Sequence, residues 1–190
     1  MSEMMRPFLL VLLCFVSLGA SSQQNMRQVF THMPDSLVGY LTENNRLDFI
    51  DFMESKMDAK VNNALEGNSK MHKLTELYAE LSLNDYSQMQ MRLLDTSEPI
   101  DSAMQIVCVV RTYGEKVRES TIEFYSMKWR KLNVPDYITL PDGMHTLLLD
   151  SEVPMLTIDV MDYLDIPAIE GQKNPTKVSM KLNWDKKTFN

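Results

Sequence analysis

Side chains that do chemistry must be titratable or nucleophilic and must gather at short range, and this sequence offers few such sets. Its three histidines, His32, His72 and His145, lie far apart, and none stands in an H-E-x-x-H or other metal-ligating spacing. His145 follows Asp142-Gly143-Met144 in a loop-like stretch and is the best-placed general base. The ordinary alternative is a solvated histidine at the start of a strand. Asp159, Asp162 and Asp165 recur at intervals of three. On a strand, period two sends Asp159 and Asp162 to opposite faces; on a helix they share one. Paired carboxylates can hold a hard cation or divide acid and base roles, but a solvated acidic edge is the preferred reading. No G-x-S-x-G or S-x-x-K occurs, and glycine is scarce at 6 residues, so neither a nucleophile elbow nor a phosphate-cradling loop is expected. No metal and no cofactor is expected.

Four aromatics suggest binding rather than catalysis: Tyr113, Tyr125, Trp129 and Tyr137. Aromatic rings on an open sheet face can stack on a sugar or anchor a partner protein. The strand read over Thr121–Arg130 carries apolar residues on both sides. One side must pack under other elements, so the binding reading concerns whichever face is left uncovered. Cys108 sits in Ile106-Val-Cys-Val-Val110 and reads as a small buried hydrophobe, because a reactive thiolate wants exposure and a cationic neighbour. Arg46, beside Asp48 and Asp51 on an expected helix, reads as ordinary surface electrostatics.

The chain that must position these residues has 190 residues and a net charge of −7. An acidic surface repels phosphate backbones, so nucleic acid is not an expected ligand. The first residues carry Arg6, then the apolar run Pro7–Leu18, then Gly19-Ala20-Ser21-Ser22. That order of basic, apolar and small residues predicts a signal peptide over residues 1–22, cut before Gln23. The run is short of the roughly 20 apolar residues that a membrane span needs. Lipidation at Cys14 would want a small residue before it, where Leu13 stands. Once residues 1–22 leave, Cys108 is the one remaining cysteine and no internal disulfide can form. The body over residues 23–190 is expected to be one domain without a membrane span.

Helical spacing of Leu37, Leu41, Leu47, Ile50, Phe52 and Met53 predicts helix from Asn25 to about Leu65, as two short helices or a helical hairpin, broken at Met33-Pro34-Asp35-Ser36 and again near Thr42–Arg46, with Glu66-Gly67-Asn68-Ser69 turning the chain. Beyond Ser69 the period becomes two. Leu77–Leu83 and Gln88–Leu93 read as a hairpin about Asn84-Asp85. Thr96–Pro99 reads as a connector, Met104–Thr112 as a central strand, and Pro135–Gly143 as a loop. His145–Leu149, Met155–Leu164 and Val178–Trp184 read as further strands, with a loop over Ala168–Pro175. Helices first and strands after predict an α+β fold: N-terminal helices packed on a mainly antiparallel sheet of about six strands.

Several of these strings also resemble a known family. Met33-Pro-Asp-Ser-Leu37, Leu41–Phe52, Val107–Gly114, Arg118–Tyr125 and Trp129 are similar to domain-of-unknown-function family number 3256, over about Met26 to Trp184. The resemblance implies an exported protein of Bacteroidales-type bacteria, in the periplasm or at the cell surface, and carries no assigned catalytic residues. Together the readings favour a non-catalytic module that binds an envelope protein or glycan. A hydrolase using His145 with Asp142, Asp159 or Asp162, and a purely structural envelope protein, are the alternatives. The oligomeric state stays open.

Overall fold

The computed structural model describes residues 24–161 and 177–190. The expected signal peptide, Asp162, Asp165 and the loop Ala168–Pro175 fall outside the described residues.

Two short helices open the described chain: α1 (Met26–Thr31) and α2 (Glu43–Glu54), with a 3-10 turn at Asp35–Leu37 between them. Each helix starts on a reciprocal cap. Asn25 exchanges bonds with Gln28, and Thr42 with Asn45, satisfying N–H groups that a helix start leaves free. Helices of 6 and 12 residues are marginal alone, so packing must hold them. Arg46 does part of this. It is 3 % exposed, not on the surface as expected. Its guanidinium donates to the Thr31 carbonyl (3.2 Å), the Leu41 carbonyl (2.9 Å) and Asp35 Oδ1 (2.8 Å), tying α1, the 3-10 turn and α2 together. A solvated arginine would leave these segments unbridged; burial is tolerable because the guanidinium makes three hydrogen bonds, one of them to the Asp35 carboxylate.

The strands follow: β1 (Lys60–Asn62), β2 (Asn68–Leu74), β3 (Tyr78–Asn84), β4 (Ser87–Ile100), β5 (Ala103–Tyr113), β6 (Glu119–Ser126) and β7 (Lys131–Leu132). They form one seven-stranded antiparallel meander in sequence order. A second, three-stranded sheet has the order β10-β9-β8, with β8 (His145–Leu149), β9 (Met155–Met161) and β10 (Lys177–Asn183). The architecture is α+β and mostly antiparallel sheet, but ten described strands in two sheets replace the expected six or so in one. β1 occupies the end of a stretch, Asn25 to about Leu65, expected to be helical; its residues pair with β2 instead. β4 runs straight through the expected connector Thr96–Pro99, with an irregularity in its pairing between Asp95 and Ile100.

The central sheet is covered on both sides. Leu81, Met89, Met91, Leu93, Val107, Val109 and Tyr125 face the helices. The alternate set, including Ile106, Cys108, Val110, Ile122 and Phe124, faces Leu147, Leu149, Leu156 and Ile158 of the second sheet and Trp184 and Phe189 beyond it. This explains why Ile106–Val110 is apolar without alternation: both faces of β5 are dry. Cys108 is fully buried there, and burial pushes its thiol pKa far up, which makes it inert. The expectation of one uncovered sheet face is thereby corrected. The second sheet roofs that face, and it is pinned by side chains that satisfy its edge backbone. Ser120 Oγ accepts the Leu147 N–H and Gln90 Oε1 accepts the Leu149 N–H, both at 3.0 Å. Buried Arg92 donates to the Asp150 and Glu152 carbonyls at 2.7 and 3.1 Å.

Candidate functional site

What remains open is the far end of the helix-facing side, where β5, β6 and β7 run out from under the helices. The turn that joins β6 to β7 builds it. The Ser126 N–H donates to the Arg130 carbonyl and the Trp129 N–H to the Ser126 carbonyl, each at 2.9 Å. Ser126 Oγ accepts from the N–H groups of Lys128 and Arg130 at 3.3 Å. Within this turn Trp129 has φ 61°, a left-handed conformation in which a bulky residue is an outlier. Its ring leans on Tyr125, with centroids 5.4 Å apart and planes at 57°.

Trp129, Tyr125 and Tyr113 line one groove of about 670 Å³, together with the 3-10 residues Ser36 and Leu37. Period two explains the company they keep. Arg111 and Tyr113 share the helix-facing side of β5, while Thr121, Glu123 and Tyr125 share that side of β6, paired to it in register. Glu123 is the electrostatic centre. Oε1 accepts from Lys131 Nζ at 2.6 Å, Oε2 accepts from the Tyr125 hydroxyl at 3.0 Å, and Arg111 Nη1 also donates to Oε2. Arg111 in turn donates to the Leu37 carbonyl at 2.8 Å, which fixes the 3-10 turn over the groove. Burial pushes the Glu123 carboxyl pKa up, but the hydrogen bonds from Lys131 and Tyr125 and the charge of Arg111 outweigh it and hold the group below its ordinary value. Burial, then the bond to Glu123, raises the Tyr125 hydroxyl. The groove therefore holds a fixed carboxylate between two cations, with an aromatic lip.

The four aromatics singled out from the sequence thus separate. Tyr113 is 47 % exposed and Trp129 is half-buried at the lip, whereas Tyr125 is buried, so it supports Trp129 and orients Glu123. Tyr137 belongs to the other side of the sheet, where its ring lies 4.8 Å from Phe124 and 6.2 Å from Trp184. Arg111, Glu123 and Lys131 were not foreseen. For Arg111 and Glu123 the available signal was a charge at a position whose strand parity points inward; exposed Lys131 offered none.

A second cavity, of about 660 Å³, lies on the other flank of the same turn and takes Met127 and Lys128 from it. Asp101 lies at the tip of the β4–β5 hairpin, where Asp101 and Ser102 both have positive φ. Its carboxylate accepts both arms of Arg130 at 2.9 and 3.0 Å, and these bonds with one from Ser126 hold its pKa down at about 2.

The histidines gather no such company. His145 Nδ1 meets the Gly143 carbonyl at 2.9 Å. It pairs in register with Val160, next to Thr146 opposite Asp159, so the pleat sends His145 and Asp159 to opposite faces of the β8–β9 ribbon. Asp159 instead meets Ser179 on β10. His32 contacts the Gln28 carbonyl at 2.7 Å and His72 the Ser82 hydroxyl at 2.8 Å. Among the described residues no three His, Cys, Asp or Glu side chains form a metal-binding group, and no helix is long and apolar enough to cross a membrane.

A family model described as a protein of unknown function, DUF3256, matches residues 17–189. The chain belongs to the DUF3256 family. The fold recurs in a solved domain of an uncharacterized protein from Porphyromonas gingivalis W83, with a TM-score of 0.71 and 18 % identity over 88 % of this DUF3256 chain and 98 % of that one. At that identity the likeness speaks for the fold alone. No curated protein matches.

Proposed function

We propose that this DUF3256 protein is an exported, non-catalytic binding module whose groove beside Trp129 takes an envelope glycan or partner protein. The observation that carries the reading is the backbone of Trp129. Left-handed backbone costs a side-chain-bearing residue about 1–2 kcal/mol, and a glycine would turn the chain there without that cost. A large ring held in such a conformation at a cleft lip, over an ordered carboxylate and two cations, is what a recognition site needs. Export rests on Arg6, the apolar run Pro7–Leu18 and the small residues Ala20 and Ser22.

Two measurements test the two halves. Trp129→Ala and Tyr113→Ala should weaken capture of the envelope ligand at least about tenfold, which corresponds to roughly 1.4 kcal/mol, while each variant still unfolds cooperatively. Unchanged capture, or outright loss of folding in both variants, overturns the binding reading and leaves a structural envelope protein. For export, the chain recovered from cells should begin at Gln23 by mass spectrometry and fractionate with the periplasm or outer surface. A cytoplasmic, uncut chain overturns that half.

A further inference from the structure

The turn Ser126–Arg130 lines two cavities. Trp129 stands in the groove, and Met127 and Lys128 stand in the second cavity. The two also share a sheet face. Gln105, at the second cavity, bonds Asp95 across the β4–β5 pair at 3.0 Å, and period two puts Ala103, Gln105, Arg111 and Tyr113 on one side of β5. Ten residues of strand separate Ala103 from Tyr113, on the order of 33 Å at about 3.3 Å per residue.

We infer that the two cavities are subsites for one extended, hydroxyl-rich, uncharged chain, a neutral oligosaccharide, that crosses the Trp129 turn. This rests on the binding reading above and names its ligand class. The charges argue for neutrality. Arg111 and Lys131 flank Glu123 in the groove, and Lys128 and Lys186 flank Asp95 and Asp101 in the second cavity. A polyanion would meet a carboxylate in both places, and in the groove the two cations that could offset it are already bonded to Glu123; a polycation would meet two cations in both. Like-charge juxtaposition disfavours either. Hydroxyl groups can accept from the cations and donate to the carboxylates, whose oxygens keep spare lone pairs beyond the bonds they already accept. Thr121 and Ser36 in the groove, and Thr96, Ser102 and Gln105 in the other cavity, add neutral donors and acceptors. Trp129 between them offers an apolar face to the C–H side of a sugar ring.

The test is titration of the full chain, as secreted, with neutral gluco- and manno-oligosaccharides of increasing length, with heparin and polygalacturonate as acidic probes. Affinity should rise with length until both cavities are filled. Trp129→Ala should weaken every neutral probe at least about tenfold. Ala103→Arg, at a half-buried residue of the second cavity on the shared face, should bring long probes down to the affinity of short ones and leave the short ones unchanged. Length dependence that survives Ala103→Arg overturns the second subsite. Preference for the acidic probes overturns the ligand class but leaves the groove standing. No oligosaccharide binding, with a photo-crosslink from position 129 to an envelope protein instead, does the same. No effect of Trp129→Ala on any probe or partner sinks both readings.

Discussion

Strand β6 shows two chemistries on its two faces. Ser120, Ile122 and Phe124 point to the second sheet, where Phe124 lies within 6.4 Å of the rings of Tyr137, Trp184 and Phe189. Thr121, Glu123 and Tyr125 point to the helical side, where the roof stops short and charges and hydroxyls take over. The second-sheet face is closed, aromatic and pinned by hydrogen bonds to an edge strand. The helical face is closed over β3, β4 and the Val107–Val109 stretch of β5, and open at the Arg111–Tyr113 end of β5 and over β6–β7. One strand can therefore carry fold and site at once: the closed face holds β6 rigid, and the open face inherits that rigidity for Glu123 and Trp129.

If that division is real, substitutions at neighbouring residues should differ in kind. The largest loss is expected at Phe124→Ala. The ring is fully buried, and removing it should cost about 3–5 kcal/mol in chemical denaturation. A cost near 1 kcal/mol would mean that the aromatic cluster is loosely packed and the second sheet is not a true roof. Next is Arg92→Ala, which strips donors from the Asp150 and Glu152 carbonyls and should cost roughly 2–3 kcal/mol. Arg92→Met should cost less, because it fills the space and removes a buried charge whose pKa burial already lowers. Equal losses would show that the hydrogen bonds, not the packed volume, hold the second sheet down.

A smaller effect is expected on the open face. Glu123→Gln keeps an acceptor for Tyr125 but loses the charge that Arg111 and Lys131 share, and should cost about 1 kcal/mol near neutral pH. Its pH dependence is the sharper reading. The carboxyl pKa is lower in the folded state than in the unfolded chain, so the stabilisation is complete above the ordinary carboxylate value and is lost as pH falls through the folded value. The gap between wild type and Glu123→Gln in urea melts should therefore narrow as pH falls below the ordinary range of a glutamate. A gap constant with pH would assign the effect to packing.

The same division explains what could be read from the sequence. Clean alternation gave the β3–β4 hairpin and the last strand, and the unbroken run Ile106–Val110 marked β5 as interior. The tight β4–β5 turn was hidden because it uses Asp101-Ser102, not the Asn-Gly or Asp-Gly that such positive-φ turns prefer. Pro99 normally ends a strand, which hides the full length of β4; here it lies in the irregular stretch of pairing before Ile100. The second sheet's strands were legible but not its placement, since periodicity says which side of a strand is buried and not what buries it. Tyr113, Tyr125, Trp129 and Tyr137 were visible as aromatics for the same reason. Register places Tyr113 and Tyr125 on the helix-facing side, and the turns after β6 and β7 set Trp129 at the lip and Tyr137 in the opposite core.

The finest discrimination concerns the backbone of Trp129. Alanine and glycine both remove the ring and its contact with Tyr125, so their packing losses are alike. They differ in what φ 61° costs them. Alanine keeps a Cβ that crowds the following carbonyl; glycine has none. In an ordinary strand or helix glycine would be the less stable of the two. Here Trp129→Gly should be more stable than Trp129→Ala by about 0.5–1 kcal/mol, measured as a shift of midpoint at constant m value. If alanine is the more stable variant, the turn relaxes once the ring is gone. The ring would then impose the left-handed backbone, and strain at that residue would no longer distinguish the open face of β6 from the closed one.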